Sequence, residues 1–336
     1  MGGNALKNVN TIRLSKQEYE QLKIEISNIL NENLDKESQF KYVKELPEKE
    51  SFGDIDIIIF LNKIEPYKFI KDIFYPIEIV NNGSVYSFDY KNFQIDFITT
   101  TSLQKLNMFD FYYSYGDLGG IIGRITNSVN IKFGQDGLFC NVSKSMEEYD
   151  ITQTIGKIIL SVEPQSICEY LNLDYNRYCS GFTTQDEIIE WVKTCKYYKK
   201  ELFLHLNHEH RNRARKRPFY IKFMDSININ VDDLSKNVIS INTNYQMEAI
   251  KYFNKLSELN ILYDKLKRHN IIKEKFTGKK FVDYGIEKKN IKHCIDIFKD
   301  YVMYETYYYT FDDYIYNEPI ETIDEMVKKI VNIVKN

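Results

Sequence analysis

The stretch "ESFGDIDIIIF", Glu50 to Phe60, carries two aspartates, Asp54 and Asp56, into the start of an isoleucine run. Consecutive β-branched apolar residues predict a buried strand. Residues two apart on a strand share a face, spaced about 6.5–7 Å along it, so Asp54 and Asp56 stand together while Ile55 and Ile57 take the other side. Two unpaired carboxylates beside an apolar strand are costly through desolvation and mutual repulsion, and a divalent cation or an arginine removes that cost. "FQIDFI", Phe93 to Ile98, supplies a third acid, Asp96, again inside a strand-like run. If the two strands are neighbours, three carboxylates converge. An all-oxygen cluster of this kind suits Mg²⁺ or Mn²⁺ and can hold two ions roughly 3.5–4 Å apart for an in-line phosphoryl displacement. The chemistry so indicated is nucleotidyl transfer, with Asp54, Asp56 and Asp96 as both catalytic and metal-binding residues. Gly53, lacking a Cβ, would let a triphosphate come close to the backbone. The plainer reading makes Asp54 and Asp56 strand-end residues reaching solvent and Asp96 an unrelated surface acid.

Working outward, Ser15 and Glu18 form a capping-box pattern, and Tyr19, Leu22, Ile26, Ile29 and Leu30 share one helical face, which predicts a helix over about 15–32. "PIEIVNNGSVYSFDY" reads as two strands around an Asn82-Gly83 hairpin turn. Helical spacing runs from Phe109 to Val129, and Gly134 and Gly137 bracket a turn between short strands. Helix, mixed strands, then helix is an α+β pattern. A second capping box, Thr184 to Glu187, opens a helical region that runs into "NHEHRNRARKRPFY". "YQMEAIKYFNKLSELNILYDKLKRHN" predicts one amphipathic helix, and "PIETIDEMVKKIVNIVKN" a last one with Pro319 near its first position. The expected division is a catalytic domain over 1–144, a helical middle region with the basic cluster over 145–240, and a helical C-terminal domain over 241–336.

The chain has 336 residues with 45 basic against 48 acidic side chains, a net charge of −3, so a polyanion would have to be held by a local patch rather than by a global field. Five scattered cysteines without a CxxC pair argue for a reducing, cytoplasmic setting and against structural zinc. The opening "MGGNALKNVN" is too polar for a signal-peptide core, and no window is apolar enough to span a bilayer, so no membrane partner is expected.

"SFGDIDIII" together with "FQIDFI" resembles the polymerase-β-like nucleotidyltransferase superfamily, which includes X-family DNA polymerases, poly(A) polymerases and tRNA CCA-adding enzymes. The resemblance implies a mixed sheet with helices, followed by a mainly helical region. It also implies that Asp54 and Asp56 hold both metal ions and that Asp96 helps activate an attacking 3′-hydroxyl. The substrates implied are an NTP or dNTP and a nucleic-acid acceptor, RNA or DNA. "MGGNAL", "KFGQDGL" and "RNRARKRP" resemble polymerase-β-like proteins of large DNA viruses and phages, for which the setting would be host or viral-factory cytosol. Superfamily members carry Gly-Ser upstream of the paired acids; "KYVKELPEKESFGD" has none. Triphosphate binding then falls to Ser51 and Gly53 with Lys44 or Lys49, or to Gly2-Gly3 folded back as an anion nest. Arg124 is a further candidate.

Arg211, Arg213, Arg215, Lys216 and Arg217 form the densest positive block, suited to phosphate on an NTP or a nucleic acid, unless it is a solvated helix face. His205, His208 and His210 read as ordinary histidines, and the glycines of "DLGGIIGRITNSVNIKFGQDGLF" as packing positions. "FTGKKFVDYGIEKKNIKHCIDIFKDYV" resembles a helical RNA-binding module of CCA-adding enzymes, with Lys279, Lys280, Lys288 and Lys289 along a basic edge. With 27 tyrosines in the chain, the run "YVMYETYYYTFDDYIY" reads as core or surface filler rather than a base-stacking platform. Two other functions fit the sequence: nucleotidyl transfer to a protein or small molecule, and non-catalytic nucleic-acid binding by a vestigial site.

Overall fold

A computed structural model describes residues 3–146, 151–230 and 245–335. It has two compact units, Met1–Val142 with Lys157–Lys255, and Ser143–Gly156 with Leu256–Asn336.

In the first unit the chain runs through β1 (Leu14–Ser15), α1 (Lys16–Asn33), β2 (Gln39–Tyr42), β3 (Ser51–Phe52), β4 (Asp54–Phe60), α2 (Pro66–Phe74), β5 (Ile79–Asn82), β6 (Val85–Tyr90) and β7 (Phe93–Thr99). A five-stranded sheet has the order β2-β4-β7-β6-β5, with β4 and β7 parallel and the other pairs antiparallel. The fold class is therefore mixed α+β. The capping box at Ser15 forms as expected and starts α1, whose buried face is Tyr19, Leu22, Ile26 and Leu30. That face, with Phe69, Ile70 and Phe74 of α2, covers Ile55, Ile57, Ile59, Ile95 and Phe97. Burying each such side chain contributes about 1.5–3 kcal/mol, and this layer fixes which way β4 and β7 face. The Asn82-Gly83 hairpin joins β5 to β6, with Gly83 at φ +63.

The other face of the sheet is covered by α3 (Leu106–Tyr113), through Leu106 and Phe109 against Ile58 and Ile98. The expected helix over 109–129 is two helices, α3 and α4 (Leu118–Asn127), because Tyr115 and Gly116 turn left-handed at φ +60 and +65. Gly119 lets α4 close on α3: a Cβ there would stand 2.3 Å from the Tyr112 carbonyl oxygen. Gly119→Ala should cost about 1–3 kcal/mol by overpacking, seen as a lower midpoint in urea unfolding followed by Trp191 fluorescence.

Gly134 and Gly137 turn β8 (Lys132–Gly134) into β9 (Gly137–Met146), which lies between β8 and β10 (Ile151–Ser161), a strand the helical expectation for the middle region did not include. The unit continues with α5 (Pro164–Leu171), α6 (Tyr175–Ser180), α7 (Gln185–Lys193), α8 (His208–Lys216), α9 (Pro218–Ser226) and α10 (Gln246–Tyr252). Helix α5 packs on α3, and α7 on α4 and α9, and residues 157–230 belong to the same compact unit as the sheet. The expected boundary at 240 lies outside the described residues.

The single amphipathic helix expected over 245–270 is also divided, by Asn254 at φ +56. Asn tolerates that left-handed conformation better than most residues. The second unit then comprises α11 (Leu256–Lys275), α12 (Lys279–Asp283), α13 (Ile291–Glu305), α14 (Phe311–Asn317) and α15 (Ile320–Lys335) around Phe276, Phe281, Phe298, Ile323 and Val327. Within it Lys280 is paired with Asp324, and Lys289 lies 2.7 Å from Glu287.

Candidate active site

The parallel register sets Asp56 directly opposite Asp96 and Asp54 opposite Gln94. Adjacent strands lie about 4.8 Å apart, so the two facing carboxylates start from neighbouring backbone positions. Ile58 and Ile98, two residues further on, are covered by α3; the acids share their face of the sheet, next to that cover.

Asp54 and Asp56 line a cavity of about 370 Å³ together with Arg13, Lys49, Ser51, Gly53 and Arg217. Asp96 is not among its walls. Both Asp96 oxygens accept from the Gln94 amide, at 2.9 and 3.1 Å, while the Gln94 oxygen accepts from Ala5 N–H at 2.9 Å. Asp54 accepts from Gly3 N–H at 3.0 Å. The amino-terminal segment does fold back, as the Gly2-Gly3 expectation required, but the Gly3 N–H meets Asp54 rather than an open anion nest; Gly2 lies outside the described residues. Gly3 sits at φ +86, and a Cβ on it would stand 2.2 Å from the Gly53 carbonyl oxygen, so only glycine allows this approach.

The three acids form one electrostatic unit. Burial, then the charges of Asp54, Asp96 and Glu45, hold the Asp56 carboxyl well above the usual carboxylate range, with Lys49 opposing. Burial pushes Asp96 up to about 6, the charge of Asp54 adding to it and hydrogen bonds from Ser87 and Gln94 pulling against it. The Lys49 ammonium is directed to Glu45 at 2.6 Å, not to the aspartates. As the side chains are placed, no three His, Cys, Asp or Glu groups among the described residues stand together as a ready metal site. The donor chemistry nonetheless fits a hard cation: Asp54, Asp56 and Asp96 offer carboxylate oxygens only and repel one another.

Of the residues expected to bind the nucleotide, Ser51, Gly53 and Lys49 are at the cavity, and so is Lys44. Arg124 is not. Its guanidinium donates to the Leu202 carbonyl at 3.1 and 2.7 Å and to the His205 carbonyl at 2.8 Å, and it lines a different cavity. Of the basic block only Arg217, between α8 and α9, reaches the carboxylate cavity. Arg213 pairs with Asp117 at 3.0 Å, Arg211 donates to the Leu206 carbonyl, and Arg215 and Lys216 are exposed.

Sequence reasoning missed Arg13, which donates from Nε to the Ser51 hydroxyl and from Nη2 to the Ser51 carbonyl, both at 2.9 Å. It is carried there by the antiparallel pairing of β1 with β3. Gln94 was also missed, although it stands two residues before Asp96 on the same strand face, the one signal that pointed to it. Tyr113 is a further wall residue, its hydroxyl pushed up to about 12 by burial and neighbouring charge.

No protein-family model matches the chain, and no curated protein matches it. Among the described residues no helix is long and apolar enough to cross a membrane.

Proposed function

We propose that the chain is a polymerase-β-like, divalent-metal-dependent nucleotidyltransferase that moves a nucleotide from an NTP or dNTP to a nucleic-acid 3′-hydroxyl. The observation that carries the reading is the parallel β4–β7 register, which sets Asp56 against Asp96 beside a cavity rimmed by Arg13, Lys49 and Arg217. Asp54, Asp56 and Asp96 would hold Mg²⁺ or Mn²⁺, which when bound supplies charge neutralisation for an in-line phosphoryl displacement. Arg13, Lys49 and Arg217 bind and orient the triphosphate, with the Ser51 hydroxyl, already accepting from Arg13, free to donate its proton to a phosphate oxygen. Gly53 leaves room for the phosphates against the backbone. Asp96, held in place by the Gln94 amide, receives the proton of the attacking hydroxyl.

Incubating the protein with each labelled NTP or dNTP, Mg²⁺ and short DNA or RNA primers should extend a primer; no transfer to any of them would overturn the reading. Arg217→Gln, at an exposed position, should raise KM for the nucleotide about tenfold with little change in kcat, the loss of one charge-assisted contact of roughly 1.5 kcal/mol. One observation favours a second reading, a nucleic-acid-binding protein with a vestigial site: Asp54 and Asp96 already accept amide hydrogens from Gly3 and Gln94. That reading requires primer binding without extension.

A further inference from the structure

We propose that a second cavity, between α4 and α8, binds a phosphate group of the acceptor strand; this rests on the nucleotidyltransferase reading and assigns it a place for the polymer. The cavity, of about 210 Å³, is floored by Gly120 and Gly123 and lined by Arg124, Lys132, Arg213 and Asn127. Two of its cations are held only by neutral acceptors in the described contacts: Arg124 by the carbonyls of Leu202 and His205, and Lys132 by the Asn127 side-chain oxygen. Arg213 uses one guanidinium nitrogen on Asp117, leaving other donors of its five N–H groups for a ligand. It lies over Gly120, where a Cβ would stand 3.1 Å from its Nη1, so the missing side chain gives the guanidinium its place. Glu209 is an acid on the lining, and it is exposed.

His210, whose ring is bonded to the Tyr220 hydroxyl at 3.1 Å, is pushed down to about 4 by burial and then by Arg213 and Arg124. Neutral near pH 7, it adds no cation of its own. Two half-buried cations, Arg124 and Lys132, with the exposed Arg213 over a side-chain-free helix surface, are a setting in which a phosphate gains more than it would in water. The Asp117–Arg213 pair also joins this cavity to the first: Asp117 lines the carboxylate cavity and Arg213 lines this one. A phosphodiester chain that ends in the carboxylate cavity can therefore continue toward Lys132. An NTP anchored at the first cavity has no comparable extension, which favours the polymer over a free nucleotide as the ligand.

The test is fluorescence anisotropy of a labelled single-stranded 12-mer on the full chain, without NTP, over a salt series. The variants are Lys132→Gln, which removes a charge, and Gly123→Leu, which fills the floor without changing charge. A Cβ at Gly123 meets nothing closer than the Phe133 carbonyl oxygen at 3.5 Å, and Gly123→Ser serves as a smaller filler if Gly123→Leu melts early. Each variant should weaken the oligonucleotide about fivefold to tenfold and reduce the slope of log K against log[salt] by about 0.7, one phosphate contact. Affinities within twofold of wild type in well-folded variants would overturn the proposal. So would loss of ATP or tripolyphosphate binding with oligonucleotide binding intact, and so would no oligonucleotide binding by the wild type. Asp56→Asn separates this from the catalytic reading, because it should abolish transfer and leave oligonucleotide affinity unchanged.

Discussion

Asp56→Asn is expected to reduce nucleotide transfer by about 10³-fold or more while raising the melting temperature of the metal-free protein. The two changes have one cause. Burial and the charges of Asp54, Asp96 and Glu45 hold the Asp56 carboxyl well above the usual carboxylate range. An amide of nearly the same shape keeps the packing, removes a carboxyl whose ionised form the buried site disfavours, and relieves its neighbours. Stability should therefore increase. For catalysis the same charge is what recruits the cation, and losing several kcal/mol of transition-state stabilisation amounts to about three decades in rate or more. Primer extension by Asp56→Asn at the wild-type rate would rule out the assigned role. A fall in melting temperature would mean instead that Asp56 is a structural acid satisfied by a partner. The single tryptophan, Trp191, is buried in the same unit as the carboxylates, so its fluorescence follows the unit that matters.

The parts of this site written locally in the sequence were legible. β4 and β7 each announce themselves by β-branched and aromatic residues flanking an acid, and the alternation of Asp54, Asp56 and Ile58 against Ile55 and Ile57 fixes their faces without reference to the rest of the chain. The capping boxes at Ser15 and Thr184 and the Asn82-Gly83 turn are likewise decided within four residues. What was not legible depends on partners far along the chain. Arg13 reaches Ser51 only because β1 pairs with β3, and nothing within either segment encodes that pairing. Arg124 was a reasonable triphosphate ligand by type, yet the carbonyls of Leu202 and His205 hold its guanidinium at the second cavity and away from the carboxylates. The breaks in the helices expected over 109–129 and 245–270 rest on left-handed Tyr115 and Asn254, and a tyrosine in that conformation has no sequence signature. Residues 145–240 were assigned to a region of their own because helical patterning does not reveal what a helix packs against, here α3 for α5 and α4 for α7.

Mg²⁺ should raise the melting temperature at neutral pH, and should do so less as the pH falls. The sign follows from the carboxyls: Asp96 titrates at about 6 when folded and Asp56 above the usual range, whereas both titrate near 3.9 in the unfolded chain. Folding therefore takes up protons: the Asp96 contribution to stability is fully present below about pH 4 and is lost as the pH rises through about 6, and the Asp56 contribution falls in the same direction as the pH rises above the usual carboxylate range. Other acids work in the opposite direction. Glu25, held by Lys91 and Tyr90, and Asp136, held by Lys157, are pulled below their usual range and weaken the fold when protonated. The informative quantity is thus the difference between wild type and an Asp56→Asn, Asp96→Asn double variant, which cancels the shared background. Metal-free wild type should lose stability relative to that variant between pH 4 and 7. At neutral pH, Mg²⁺ at about 100 times its Kd adds roughly 2.7 kcal/mol, or about 5–10 °C, to wild type and nothing to the variant. An equal rise in both proteins would place the ion elsewhere, and a flat wild-type response would leave three repelling carboxylates with no cation to unite them. In that case the amide donors of Gly3 and Gln94 become the whole account of why Asp54 and Asp96 are tolerated where they stand.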